Sequence, residues 1–153
     1  MERKSIKDLA VTLDKAEAVL NEIRAASGFD ILGPKPTAPG LRRIETAVEA
    51  AERAYKDRRK RAEEFDDALF GEPAWDILLD MFIHQSRSEE VTVKSACIGS
   101  GAPNTTALRW LKVLENYGLI QSKPDPNDQR RRLLALTAEG FEAMTRYLEA
   151  IAR

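Results

Sequence analysis

Residues 119–136 are the part of this sequence least able to be helical. Leu119-Ile120-Gln121-Ser122-Lys123 runs into Pro124-Asp125-Pro126-Asn127-Asp128-Gln129 and then into Arg130-Arg131-Arg132-Leu133-Leu134-Ala135-Leu136. Two prolines one residue apart withhold backbone donors, and the Asp and Asn beside them favour turns. The apolar flanks are therefore predicted to fold back on each other as a β-hairpin. Apart from the short β-branched stretch Glu90-Val91-Thr92-Val93, which suits a single small strand, the rest of the chain carries helical periods. At 153 residues the chain has room for one compact domain, or for a small domain with a helical extension. The expected class is mainly α with a small β-wing.

The elements around the hairpin follow from their punctuation. Gly71-Glu72-Pro73 marks a shift in composition, and Pro73 suits the first turn of a helix whose apolar face is Trp75, Leu78, Leu79, Phe82 and Ile83. A short helix is predicted from about Lys94 to Ser100, and Gly99-Ser100-Gly101 forms a tight turn. Pro103 opens a third helix with Ala107, Trp110, Leu111 and Leu114 inward, ending at Tyr117-Gly118. After the hairpin, Thr137 caps a last helix with Glu139 in its first turn, and Phe141, Met144, Leu148 and Ile151 repeat at steps of 3, 4 and 3. Residues 73–136 thus read as helix, strand, helix, turn, helix, hairpin. That is a helix-turn-helix with a wing, whose third helix fits a DNA major groove while the wing reaches the neighbouring backbone or minor groove.

The first 70 residues read differently. Ile6, Leu9, Leu13, Ala16, Leu20 and Ile23 form an a/d seam, which implies a helix from about Ser5 to Ala26. Three glycines and three prolines between Gly28 and Gly40 make a linker or a sharp reversal. The seam resumes as Leu41, Ile44, Val48, Ala51, Tyr55, Arg58, Ala62, Phe65 and Leu69, a helix on the order of 40 Å long at ~1.5 Å per residue. It can pair with residues 6–23 of its own chain, with the same helix of a second chain, or with both. The block Arg58-Arg59-Lys60-Arg61 is read as a solvated face with salt bridges rather than a second DNA contact. The expected organisation is a helical dimerisation region over 1–70, with its linker at 28–40, followed by a winged helix-turn-helix over 71–153.

A net charge of −1 argues at first against a nucleic-acid partner. Split by segment, residues 1–70 are neutral, 71–93 carry −4, 94–132 carry +4 and 133–153 carry −1. The basic excess sits entirely in the predicted helix-turn-helix and wing. The single cysteine excludes an internal disulfide, no apolar run approaches the ~20 residues of a membrane span, and the start Met1-Glu2-Arg3-Lys4 leads into no signal-peptide core. The cytoplasm is the expected compartment, with no membrane partner.

Three motifs in order carry a specific resemblance. They are Leu114-Glu115-Asn116-Tyr117-Gly118-Leu119-Ile120 closing the third helix, Asp125-Pro126-Asn127-Asp128-Gln129-Arg130 in the hairpin, and Leu136-Thr137-Ala138-Glu139-Gly140 opening the last helix. Over about its last 80 residues the chain resembles the MarR family of winged helix-turn-helix transcription regulators. The resemblance implies a dimer on double-stranded DNA, with Asn104, Thr105, Thr106, Arg109 and Lys112 reading the major groove and Arg130 entering a minor groove. Leu108 can touch a thymine methyl. Arg131 and Arg132 alternate faces of a strand, so only one of them is expected to extend the basic surface with Arg130. Asp128 is expected to support the wing, since a carboxylate facing phosphate is repelled. Only 16 residues follow Thr137, where the family usually has two further helices that build its dimer interface. Homodimerisation is therefore expected to shift to the seams at 6–23 and 41–69 and to the last helix. The family often takes small aromatic ligands, which leaves a small-molecule effector open.

Each feature has a plainer counterpart. Threonines at a helix start are often caps, and arginines on a hairpin often only block edge pairing. Cys97, among Ala96 and Ile98, reads as a buried inert thiol more readily than as a redox sensor. His84 falls four and eight residues after Asp80 and Asp76 on one helical stripe, too few ligands for a metal site. Trp75 and Trp110 read as core. No catalytic apparatus, cofactor motif or metal site is expected. The competing function is a winged-helix protein–protein module that uses the N-terminal helices as a scaffold and binds no DNA.

Overall fold

The computed structural model describes residues 38–152, so the predicted helix over 5–26 and most of the linker over 28–40 lie outside the described residues. In chain order the elements are α1 (Ala38–Glu64), α2 (Asp67–Phe70), α3 (Pro73–Ser86), β1 (Val91–Thr92), α4 (Val93–Gly99), α5 (Asn104–Asn116), β2 (Ile120–Pro124), β3 (Arg132–Leu136) and α6 (Ala138–Ile151). The three strands form one antiparallel sheet in the order β1-β3-β2. This is a winged helix-turn-helix: α4 and α5 make the helix pair, β2 and β3 make the wing, and a long helix precedes them.

Helix α3 is the centre of the core. Pro73 sits in its first turn, as its spelling predicts. Ile77, Leu79, Met81 and Phe82 are fully buried, each worth roughly 1.5–3 kcal/mol of burial. The predicted face was too narrow, because α3 packs against α1, α4, α5, α6 and β3 and so is covered nearly all round. Trp75 is only partly buried and meets Tyr147 edge to face at 5.3 Å.

Helix α1 packs along α3 and α6. Its buried positions are Ala47, Ala50 and Ala51, with Val48, Ala54 and Tyr55 partly buried beside them. Small side chains let three helices approach closely, so Ala47 and Ala50 join the seam residues Val48, Ala51 and Tyr55 on the inward face. Leu41 and Phe65, both expected on that seam, are 49% and 56% exposed. Ion pairs fix the two ends. Arg43 reaches Glu149 of α6 at 2.9 Å, and Arg58 reaches Asp76 at 2.6 Å and Glu72 at 2.6 Å. Arg58 is therefore no solvated residue: its side chain is 14% exposed and its buried partner Asp76 starts α3. The helix ends at Glu64 instead of running to Leu69, because Glu63, Glu64 and Asp66 crowd carboxylates at the negative end of its dipole.

The sheet joins these helices to the wing. Val91 pairs with Leu134 and Thr92 with Leu133, after which Thr92 turns the chain into α4 through a capping box with Ser95. That box is why the strand stops one residue short of the predicted Val93. On the other side Ile120 pairs with Leu136 and Pro124 with Arg132. Gln85 of α3 closes the far end of β3, its Oε1 accepting the Leu136 N–H at 2.8 Å and its Nε2 donating to the Leu136 carbonyl at 3.4 Å.

The Leu-Thr-x-x-Gly spelling has a steric cause. The Thr137 N–H donates to the Leu119 carbonyl at 3.0 Å, its hydroxyl donates to the Gly118 carbonyl at 2.6 Å, and that hydroxyl caps α6 by accepting the Gly140 N–H at 3.0 Å. A Cβ on Gly140 would stand 2.2 Å from the Leu119 carbonyl oxygen, a backbone atom already held by Thr137. Gly140→Ala is expected to destabilise the fold by about 1–3 kcal/mol, as a lower denaturant midpoint at unchanged slope. A midpoint equal to that of the wild type would mean that this junction is not tight.

Candidate nucleic-acid interface

Helix α5 exposes the face that its sequence predicts. Ala107, Leu111 and Leu114 are buried, and at ~100° per residue Thr105, Arg109 and Lys112 stand opposite them. Asn104, Thr105, Leu108, Arg109 and Lys112 are exposed, and Thr106 is half-buried. Trp110, expected in the core, is 37% exposed because it lies at the edge of the Ala107/Leu111/Leu114 stripe rather than within it. The N-cap position is Pro103, with no side-chain cap. Neither threonine therefore serves as the cap, and the first-turn N–H groups of α5 lack capping side chains. An uncapped helix N-terminus attracts anions through its dipole and its donors.

The wing stands beside this helix. A groove of about 640 Å³ runs between the N-terminal half of α5 and the wing, lined among others by Asn104, Leu108, Arg130, Arg131, Arg132 and Lys94. Lys94 was counted in the basic segment but not as a site residue. Its position at the start of the first helix of the pair, where such helices cross a phosphate backbone, is the signal that could have found it. Cys97 lines the same groove yet is buried, and desolvation pushes its thiol pKa up, as for an unreactive side chain.

The three arginines are not equivalent. Arg131 pairs with the buried carboxylate of Asp125 at 3.5 Å. Arg132 donates to the Ser122 hydroxyl at 2.7 Å, across the hairpin. Arg130 is exposed, and among the described residues its guanidinium has no side-chain partner. Asp128 supports the wing through the backbone, its Oδ1 accepting the Arg130 N–H at 3.0 Å and its carbonyl accepting the Arg131 N–H at 2.9 Å. Asp125 was missed. It is 4% exposed, accepts the Asn127 N–H at 2.8 Å in an Asx turn, and carries the ion pair to Arg131. Asp directly before Pro at the start of a turn was the available clue.

A polar chain ties α5 to the wing. Lys112 pairs with Glu115 at 3.1 Å, Glu115 accepts the Ser122 hydroxyl at 2.8 Å, and Ser122 in turn accepts from Arg132. The Ser122 hydrogen bond, then Lys112, holds the Glu115 carboxyl below the usual glutamate range.

The remaining candidates resolve simply. His84 lies 3.5 Å from Asp80 and 2.5 Å from Glu89, while Asp76 turns to Arg58 instead of sharing the stripe. Among the described residues no three His, Cys, Asp or Glu side chains are grouped to hold a metal ion. No helix among them is long and apolar enough to cross a membrane.

No protein-family model matches the sequence, and no curated protein matches it. Among solved structures the chain is similar to S. aureus MepR in its DNA-binding conformation, at 18% identity and a TM-score of 0.48, covering 64% of this chain and 70% of MepR. It is similar to MepR in the S. aureus MepR–DNA complex at 19% identity and a TM-score of 0.47, covering 64% of this chain and 77% of that one. It is also similar to the PcaV transcriptional regulator from Streptomyces coelicolor, at 26% identity and a TM-score of 0.43, where the match covers 51% of this chain and 54% of PcaV, little more than half its length.

The tie between α5 and the wing makes a pH prediction. The folded-state pKa of Glu115 is lowered, so its ionised form adds stability above the ordinary glutamate range, and this contribution is lost as pH falls through the lowered value. Ser122→Ala is expected to move the Glu115 midpoint up toward the ordinary range in a carboxyl-carbon NMR titration. An unmoved midpoint would remove Ser122 as the cause.

Proposed function

We propose that this chain is a MarR-type winged-helix regulator that binds double-stranded DNA sequence-specifically as a homodimer. Helix α5 lies in the major groove, with Asn104, Thr105, Thr106, Arg109 and Lys112 toward the bases and phosphates. The observation that carries this reading is the shared groove: the uncapped start of α5 and the unpartnered Arg130 flank one opening, with Lys94 at its rim. Arg109 offers a bidentate fork to guanine, and Asn104 one to adenine. Arg130, at the wing tip and clear of the ion pairs that hold its neighbours, enters the minor groove. Arg131 and Arg132 are both exposed, where strand alternation led only one to be expected, because β3 begins at Arg132 and Arg131 lies outside it; both extend the basic surface while tied to Asp125 and Ser122.

Dimerisation is assigned to the helical region over 1–70, assisted by α6, with the DNA-binding lobe over 71–153. Helix α1 would then serve both roles, since its alanine face packs on α3 and α6 and its opposite face is solvent-exposed. A dimer is needed on energetic grounds. A patch of +4 per protomer gives modest non-specific affinity, so tight binding depends on base readout at two half-sites.

Selection from a random duplex pool is expected to yield a palindrome whose half-sites are separated by about one turn, ~34–36 Å. On that duplex Arg109→Ala is expected to cost about 1–3 kcal/mol and relax the preference at one position. Arg130→Ala is expected to weaken binding and reduce the salt slope by about 1. Absence of duplex binding even at low salt would overturn the reading in favour of a protein–protein module.

A further inference from the structure

The turn between α4 and α5 sets the angle at which α5 leaves the core, and its own bonds leave the Gly99 carbonyl unserved. Ser100 stabilises the turn from within, donating its hydroxyl to the Cys97 carbonyl at 2.7 Å and accepting the Ala102 N–H at 3.1 Å. The Gly101 N–H donates to the Ile98 carbonyl at 3.1 Å. Gly99 is buried, and the residue four positions on, which would complete its carbonyl in a helix, is Pro103, which has no N–H. Ala102, three positions on, has already given its N–H to Ser100. A buried carbonyl without a donor is costly, so its partner must come from outside the motif.

The long helix α1 supplies it twice. The Tyr55 hydroxyl donates to the Gly99 carbonyl at 2.9 Å, and the Arg59 guanidinium donates to the same oxygen. Arg59 also donates to the Tyr55 hydroxyl at 2.8 Å and lies over the Tyr55 ring at 4.8 Å, so the two side chains form one unit. That unit fills the space beside the turn. A Cβ on Gly101, whose φ is +65°, would stand 2.1 Å from Arg59 Nη1, and a Cβ on Gly99 would stand 2.6 Å from the Asp80 carboxylate. Asp80 in turn feels the positive charge of Arg59. The turn is thus gripped between α1 and α3 at two glycines, immediately before the helix proposed to read DNA.

We propose that Arg59, supported by Tyr55, is a positioning residue for DNA binding: it fixes the turn and with it the presentation of α5, without touching DNA. This rests on the reading given under Proposed function. The block at 58–61 thereby gains a role other than a solvated face: Arg58 holds the start of α3, Arg59 holds the turn, and Arg61 lies 5.0 Å from the Phe70 ring.

The test measures affinity of the full chain for the selected duplex and for a random duplex across salt concentrations, with amide hydrogen exchange on the same proteins. Arg59→Gln is expected to weaken the selected duplex by at least about fivefold, comparable to a mismatched base pair. Affinity for random duplex and the salt slope are expected to stay unchanged, because no phosphate contact is lost. The Gly101 and Ala102 amides are expected to exchange faster while Leu111 and Leu114 stay protected. Arg59→Lys, whose ammonium can donate to both oxygens, is expected to restore most of the selected-duplex affinity. Should Arg59→Gln fail to fold, Tyr55→Phe carries the test, with a smaller loss of the same pattern. A salt slope reduced by about 1 would make Arg59 a phosphate contact and overturn the proposal, as would unchanged affinity and exchange in the variant that folds. No binding by the wild type overturns the DNA reading and this role with it, whereas wild-type binding that Arg59→Gln and Tyr55→Phe both retain overturns only this role.

Discussion

Strand β3 is the constraint on which the rest depends. Leu133, Leu134, Ala135 and Leu136 are all buried, and the strand is paired along both edges, to β1 on one side and to β2 on the other. A five-residue strand with both faces and both edges covered has no freedom of register, since a slip of one residue would exchange its two buried faces and break both ladders. Its end is held by the Gln85 amide, so α3 fixes β3 along the strand as well. β1 leads directly into α4, and β2 carries the wing. The helix-turn-helix and the wing are therefore referenced to one strand, and the groove between α5 and the wing inherits its width from it.

Charge is distributed by the same logic. Several cations hold elements together: Arg43 on α6, Arg58 on the start of α3, Arg131 on Asp125. The last two of these meet buried carboxylates, where removing one partner would strand the other in a low-dielectric setting. Exposed pairs such as Lys112–Glu115 contribute little energy but orient side chains on the surface of α5. A count of basic residues overstates the charge available to a polyanion, and the structure identifies Lys94, Arg109 and Arg130 as exposed cations for which no ion pair is formed among the described residues.

Much of this was legible in the sequence, and the failures have physical causes. The order of elements from Pro73 to Ile151 follows from prolines, glycines, caps and apolar spacing, each a local signal that tertiary context reinforces. The seam read over 41–69 faces inward in its middle, at Val48, Ala51, Tyr55 and Arg58, and is exposed at its ends, while Ala47 and Ala50 join the packed face because small alanines give little apolar signal. Trp110 fits the apolar pattern of α5 by size but not by angle. At ~100° per residue it falls about 70° from the centre of the buried stripe, far enough for its ring to reach solvent. The roles of Tyr55 and Arg59 were not legible, since each depends on a partner distant in sequence: Gly99 is 44 residues from Tyr55.

The position of Pro103 connects these points. In the first turn of a helix, proline normally serves to preset the backbone at no cost in hydrogen bonds. Pro103 stands instead one residue before that turn, at the N-cap with extended backbone, where it removes the donor that would have satisfied the Gly99 carbonyl and leaves α5 without a capping side chain. One residue type thus creates two unmet needs at adjoining places. The carbonyl, being buried, is answered from inside the protein by Tyr55 and Arg59. Asn104, the first residue of α5, lines the open groove beside the wing, whose lining holds no carboxylate among the described residues. Donors left toward solvent beside an unpaired arginine cost little while water serves them and gain most when an anion replaces it. That asymmetry, one need closed internally and the other left open, is the local physical reason that an anion would be favoured at the start of α5.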